Sequence, residues 1–246
     1  KSIERIDKSC AGISEVALGG TAVGTGVNTH LEFADRVCKV LSDSLSLKIK
    51  ETDNHFQAQS TLDALVECSG SLKTLAVSLM KIANDIRWLG SGPRAGIGEI
   101  DLPAVQPGSS IMPGKVNPVI PESVCQVAAQ VIGNDQTIVI AGQSGNFEIN
   151  VMMPVAGYNL LEAIDILSSV SSNFASQCIS GIQVTSKGPD MVMNGLAIAT
   201  TLVPHIGYDA AALIAKEAQQ TGKTIMEVAK SKTDISKEDL DKILDP

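Results

Sequence analysis

The chain has 246 residues, 44% of them hydrophobic but only 3% aromatic, and a formal net charge of −8. That length can bury a sizeable core, and the core must be aliphatic, which suits long helices packed closely together. The acidic balance argues against nucleic acid, whose phosphates need a basic face, and no uncharged apolar run reaches the length of a membrane span.

The chain opens on a helical stripe: Ile3, Ile6, Cys10, Ile13 and Ala17 step by three and four. No capping signal and no initiator Met precede it, so the chain is expected to start inside a helix of something longer. The stripe is expected to end at Gly19-Gly20. Gly19 to Gly26, GGTAVGTG, reads as a tight turn between helices, because no strand precedes it and the GxGxxG spacing is not met. A second helix is expected from about 30 to 47, with Leu31, Ala34, Cys38, Leu41 and Leu45 on one face. Residues 48–60 are polar and without period, a connection. Ser60 with Asp63 resembles a capping box for the next helix.

From there Leu62, Leu65, Ser69, Leu72, Ala76, Leu79, Ala83 and Ile86 repeat at heptad spacing with one polar exception. This predicts a helix about 40 Å long within a bundle. Gly90, Gly92 and Pro93 stop it, and residues 92–107 form a Gly/Pro-rich loop. After residue 118, Pro121 suits a first helical turn, with Glu122 favourably placed at the positive end of the dipole. That helix is expected to break or bend at Gly133-Asn134 and to end between Gly142 and Gly145. Leu160, Ile164, Leu167, Ser171 and Phe174 mark a further long helix. No alternating strand series appears.

The character changes near Ser186-Lys187-Gly188-Pro189. Short helices follow at about 190–203, 208–221, 224–231 and 236–244, the last opened by Ser236 and Asp239 as a capping box. The expected fold is all-α: a long antiparallel helical bundle over 1–187 and a small domain of short helices over 188–246. Five widely spaced cysteines (Cys10, Cys38, Cys68, Cys125, Cys178) without a CxxC read as reduced thiols rather than disulfides or metal ligands.

Chemistry concentrates between Gly108 and Pro118, GSSIMPGKVNP. Lys115 and Asn117 alternate, so on an extended backbone they point the same way. With the N–H groups opening the next helix they can bind a carboxylate or phosphate, and Ser109 and Ser110 add hydroxyls. The stretch is not a P-loop: five residues separate Gly108 from Gly114, and Val116 stands where a hydroxyl is needed. Neither GxSxG nor SxxK is present. On the residues alone, a solvated Gly/Pro connection remains an equal reading.

The stretch resembles the signature loop of the fumarase/aspartase superfamily, GSxxMxxKxN, in all five fixed residues. GGTAVGTG at 19–26, SLMKIANDIRWLGSGPR at 78–94, GNFEIN at 145–150 and HIGYDAAALIAKEA at 205–218 resemble class II fumarases in particular. NPVIPE at 117–122 resembles aspartases and some bacterial fumarases more than the NPTQCE of many fumarases, while aspartases usually carry Ala where Gly114 stands. The resemblance implies reversible hydration of fumarate to L-malate, with Ser109 as base, Ser110, Lys115 and Asn117 as substrate ligands, and Glu122 as the carboxylate supporting a catalytic histidine. It implies no cofactor and no metal, a small dicarboxylate substrate, a homotetramer, and a cytoplasmic or mitochondrial-matrix setting. Aspartate ammonia elimination and a non-catalytic oligomerisation module are the alternatives. The family's THxQDAxPxTxGQ motif, which carries the histidine, does not occur here, and His30, His55 and His205 do not match it. The resemblance is therefore to the C-terminal half of a fumarase, a chain expected to be inactive by itself.

Overall fold

In the computed structural model, which describes residues 1–245, helices dominate and every strand among the described residues is two residues long. The chain groups into two compact units: residues 1–87 with 103–181, and residues 88–102 with Ile182 onward.

In the first unit, α1 (Ser2–Ile13) stops four residues before the end of its expected stripe, and Glu15–Val16 turns off into β1, paired in parallel with β2 (Lys50–Glu51). The α1 stripe is not a core face. Ser9 is its one buried residue, while Ile3 and Cys10 are exposed. Next come α2 (Phe33–Leu45), with Ala34 and Cys38 buried, and α3 (His55–Ser60), which lies within the expected connection. The capping box expected at Ser60 is absent. Ser60 closes α3 and bonds back to the Phe56 carbonyl, and Asp63 instead accepts hydrogen bonds from Thr61 and Gln57.

The long helix α4 (Asp63–Leu89) follows its heptad stripe, burying Ser69, Leu72, Ala76, Ala83 and Ile86. Burying Leu72 contributes about 1.5–3 kcal/mol. Ser69, the polar member, donates to the Asp135 carboxylate at 2.8 Å. Asp135 lies on α5 (Val119–Gly142), which packs along α6 (Met153–Gln177) with Ala128, Val131 and Ile138 facing a core that includes Ala156, Ala163 and Leu167. Alanines at these positions let helix axes approach. Helix α5 runs unbroken through Gly133-Asn134, contrary to expectation. The Asn134 amide reaches across to Glu162 of α6 at 2.8 Å rather than competing for its own backbone.

The second unit pairs β3 (Ile100–Asp101) antiparallel with β4 (Gln183–Val184) and continues through α7 (Lys187–Asn194). The helix expected over 190–203 is interrupted. Gly195 is extended, and a 3-10 turn (Ala197–Leu202) leads into α8 (Val203–Ile206). Helices α9 (Tyr208–Thr221), α10 (Ile225–Lys232) and α11 (Lys237–Ile243) then close on Leu202, Ile214, Ile225, Val228 and Leu240. Ser236 caps α11 as expected, its hydroxyl accepting the Asp239 N–H at 3.1 Å. Among the described residues, no helix is long and apolar enough to cross a membrane.

Candidate active site

The stretch from Gly108 to Pro118 is a loop that closes on itself before entering α5. Its neck is formed by Gly108 and Asn117. The Asn117 side-chain amide donates to the Gly108 carbonyl, nine residues away in sequence. A Cβ on Gly108 would lie 1.5 Å from the Lys115 carbonyl oxygen, so only glycine permits the approach. At the far side, Gly114 takes φ +78° and carries the reversal. The Lys115 N–H donates to the Met112 carbonyl at 3.3 Å.

Inside this ring, Ser109 Oγ accepts two backbone hydrogen bonds, from the N–H of Ile111 and of Met112, both at 3.1 Å. Two donors on one hydroxyl oxygen favour its deprotonated form, and at this loop they cost no reorganisation because the backbone already points them inward. The donors to the Ser109 oxygen are thus backbone groups, and Lys115 makes no hydrogen bond to it. Lys115 and Ser110 are exposed, and among the described residues neither side chain has an ion pair or hydrogen bond. Lys115 is thus a cation available to an anion from solvent.

The loop hands over to α5 through the Glu122 N–H, which donates to the Pro118 carbonyl at 3.0 Å. The half-buried Glu122 carboxylate stands in the first turn of α5, and its side chain has no partner among the described residues. Ser109, Ser110, Lys115, Asn117 and Glu122 are therefore held within one loop and one helical turn.

Sequence reasoning passed over the support beneath that turn. Asn84 Oδ1 on α4 accepts from Arg87 at 2.9 Å and lies 3.5 Å from the Cys125 thiol on α5. This ties the last turns of α4 to the first turns of α5. The only signal available was the i, i+3 spacing of Asn84 and Arg87, which names no partner on another helix.

The histidines of this unit are elsewhere. His30 Nδ1 accepts the Glu32 N–H, and His55 Nε2 lies 3.0 Å from the Leu18 carbonyl and 3.1 Å from Glu51. Both line a cavity of about 190 Å³ with Gly19, Gly24 and Gly26. That cavity adjoins α3, and no residue of the loop lines it. His205 is exposed in α8. The five cysteines are free thiols, and burial pushes those of Cys38, Cys68 and Cys178 up. Among the described residues, no group of three or more His, Cys, Asp or Glu side chains is placed to hold a metal.

A family model described as lyase matches residues 1–133, and one described as the fumarase C C-terminus matches residues 198–246. A class II fumarate hydratase of Pseudomonas aeruginosa is 50% identical over 98% of this chain and 53% of its own length. One from Rickettsia bellii is 46% identical over all of this chain and 53% of its own. Among solved structures, the class II fumarase of Schistosoma mansoni superposes with a TM-score of 0.94 at 36% identity, over all of this chain and 55% of that one. A fumarate lyase:delta crystallin from Brucella melitensis, bound to cobalt, gives 0.94 at 46% identity, over all of this chain and 53% of that one. The chain spans about half the length of the relatives it matches.

Proposed function

We propose a function from one premise: the chain belongs to the lyase family, with the class II fumarases as its relatives. On that premise it contributes the base and carboxylate-binding loop of a fumarate hydratase, interconverting fumarate and L-malate. The observation that carries the reading is the Ser109 oxygen held by two backbone N–H groups in the same loop as Lys115, whose side chain has no partner among the described residues.

In the dehydration direction, Ser109 as alkoxide removes the proton from the carbon next to one carboxylate of L-malate. The electron pair moves into that carboxylate as an aci-carboxylate. Lys115, Ser110 and the second N–H of the Asn117 amide balance the charge that builds up there. The carbon–oxygen bond then breaks as an acid donates a proton to the leaving hydroxyl, releasing water and forming the double bond. Glu122 orients the imidazole that serves this acid side. His30 and His55 line a cavity to which the loop contributes no residue, and the reading takes the imidazole from outside residues 1–246. Lys115 and the unpaired donors of the loop support a small dicarboxylate as substrate.

Assembly as a homotetramer accords with the apolar side chains left exposed along the long helices, among them Val77, Ile140, Tyr158 and Leu161. The setting that suits the reading is the cytoplasm or the mitochondrial matrix. The test is fumarate formation from L-malate, followed by absorbance. We expect no turnover by this chain alone. Turnover is expected when it is combined with the part of the Pseudomonas aeruginosa relative that it does not cover, and Ser109→Ala should lower that turnover by about 10³-fold or more. Undiminished turnover in Ser109→Ala would remove Ser109 as base. L-aspartate in the same assay tests ammonia elimination.

A further inference from the structure

We propose that Asn117 is the clasp of the loop, a positioning residue that holds the Ser109 cradle in shape before any substrate arrives. A carboxamide nitrogen carries two donors. One is committed to the Gly108 carbonyl, across the neck of the ring. The residues around that bond are arranged for it. Gly108 has no room for a side chain against the Lys115 carbonyl, and Asn117's own carbonyl accepts the Val119 N–H at 2.9 Å, which fixes Asn117 to the start of α5. Helix α5 in turn is anchored on α4 through Asn84 and Cys125.

The chain of support runs from the bundle to α5, to Asn117, to Gly108 and so to Ser109, the next residue. Ser109 then draws in the N–H groups of Ile111 and Met112 at 3.1 Å. Nothing else among the described residues ties Gly108 down by a side chain. Ile111 and Met112 are largely exposed, so the cradle has no packing of its own to preserve it. With the clasp open, the two N–H groups turn to water and Ser109 loses its donors. The consequence for turnover rests on the reading of Ser109 as base; the consequence for loop structure does not.

The test is amide hydrogen exchange on the protein without ligand, resolved at Ile111 and Met112. Asn117→Ala removes the donor, and Asn117→Asp keeps the shape without it. Both should speed exchange at these two N–H groups by about tenfold, the loss of one hydrogen bond, with α5 and α6 amides unchanged. Gly108→Ala should do the same from the other side of the neck. Lys115→Ala, which removes a cation but no loop bond, should leave exchange as it was. A residue that only touches substrate leaves the empty loop unaltered, so unchanged exchange in both Asn117 variants overturns the proposal. In the complemented enzyme, the Asn117 variants should lower kcat about tenfold or more with KM within about twofold. A loss confined to KM would also overturn it. If the wild-type mixture shows no turnover, the proposed function fails while the exchange experiment still decides the clasp.

Discussion

Single side chains in this chain act by what they offer the backbone. Thr224 and Glu227 open α10 with a reciprocal pair: the Thr224 hydroxyl accepts the Glu227 N–H, and the Glu227 carboxylate accepts the Thr224 N–H at 2.8 Å. The Thr224 backbone and side-chain donors hold the Glu227 carboxyl below its usual range. A folded value below the unfolded one means this pair stabilises fully above the unfolded value, and the contribution fades as pH falls through the folded one. Thr224→Ala should cost about 1 kcal/mol near neutral pH, and the difference from wild type should shrink as pH falls through the lowered Glu227 value. Denaturant unfolding at pH 7 and pH 3.5 measures both, and an equal gap at the two pH values would refute the linkage. Ser236 was legible as a cap because its sequence neighbours are its partners. Ser60 and Asp63 have the same spacing, yet Thr61 and Gln57 took the carboxylate, since α3 ends where the cap was expected. Ser109 stands out as a candidate base only through resemblance to a known loop. Its two N–H donors depend on how that loop turns, which residue types alone do not specify.

Elements are held together by polar rungs as well as by the aliphatic core. Asp135 is almost fully buried on α5 and receives both Ser69 and Lys73 of α4, the lysine at 2.6 Å with its side chain part-exposed. One residue earlier, Asn134 faces α6 through Glu162. Adjacent residues thus engage opposite neighbours, which sets how far each helix slides against the next. Removing one member of such a pair costs more than the pair contributes, because a charge is left buried. Lys73→Met should destabilise the first unit by about 3 kcal/mol, and Lys73→Met with Asp135→Leu should recover most of it. Urea unfolding of both variants reads this directly, and a double variant no better than the single one would count against it. The heptad stripe of α4 was legible, including the place of Ser69 within it. The partner of Ser69 lies 66 residues on, beyond the reach of any local pattern. Gly133-Asn134 misled for the same reason: a breaker signal assumes that the amide competes for its own backbone, and here another helix satisfies it.

At the scale of the whole molecule, the long helices leave large apolar side chains uncovered. Tyr158 is 66% and Leu161 69% exposed on α6, and Ile140 is 54% exposed on α5. Tyr158 and Leu161 stand three residues apart on one helix face, a placement that suits packing against another helix. If copies of the chain cover this face, light scattering at micromolar concentration should give a mass near four times 25.7 kDa, and Leu161→Glu with Tyr158→Glu should reduce it. A single-chain mass for the wild type would exclude self-association through these helices. The sequence by itself determined the all-α class, the positions of α4, α5, α6 and α9, and the place of the candidate loop between α4 and α5. Those properties are written in spacing between near neighbours, where periodicity and breakers act. Only the tertiary structure decided that the α1 stripe faces outward, that α5 runs through its glycine, that Asp135 joins α4 to α5, and that Asn117 closes on Gly108. Each depends on what the folded chain brings alongside, and burial and hydrogen bonding are decided by that neighbour rather than by the residue.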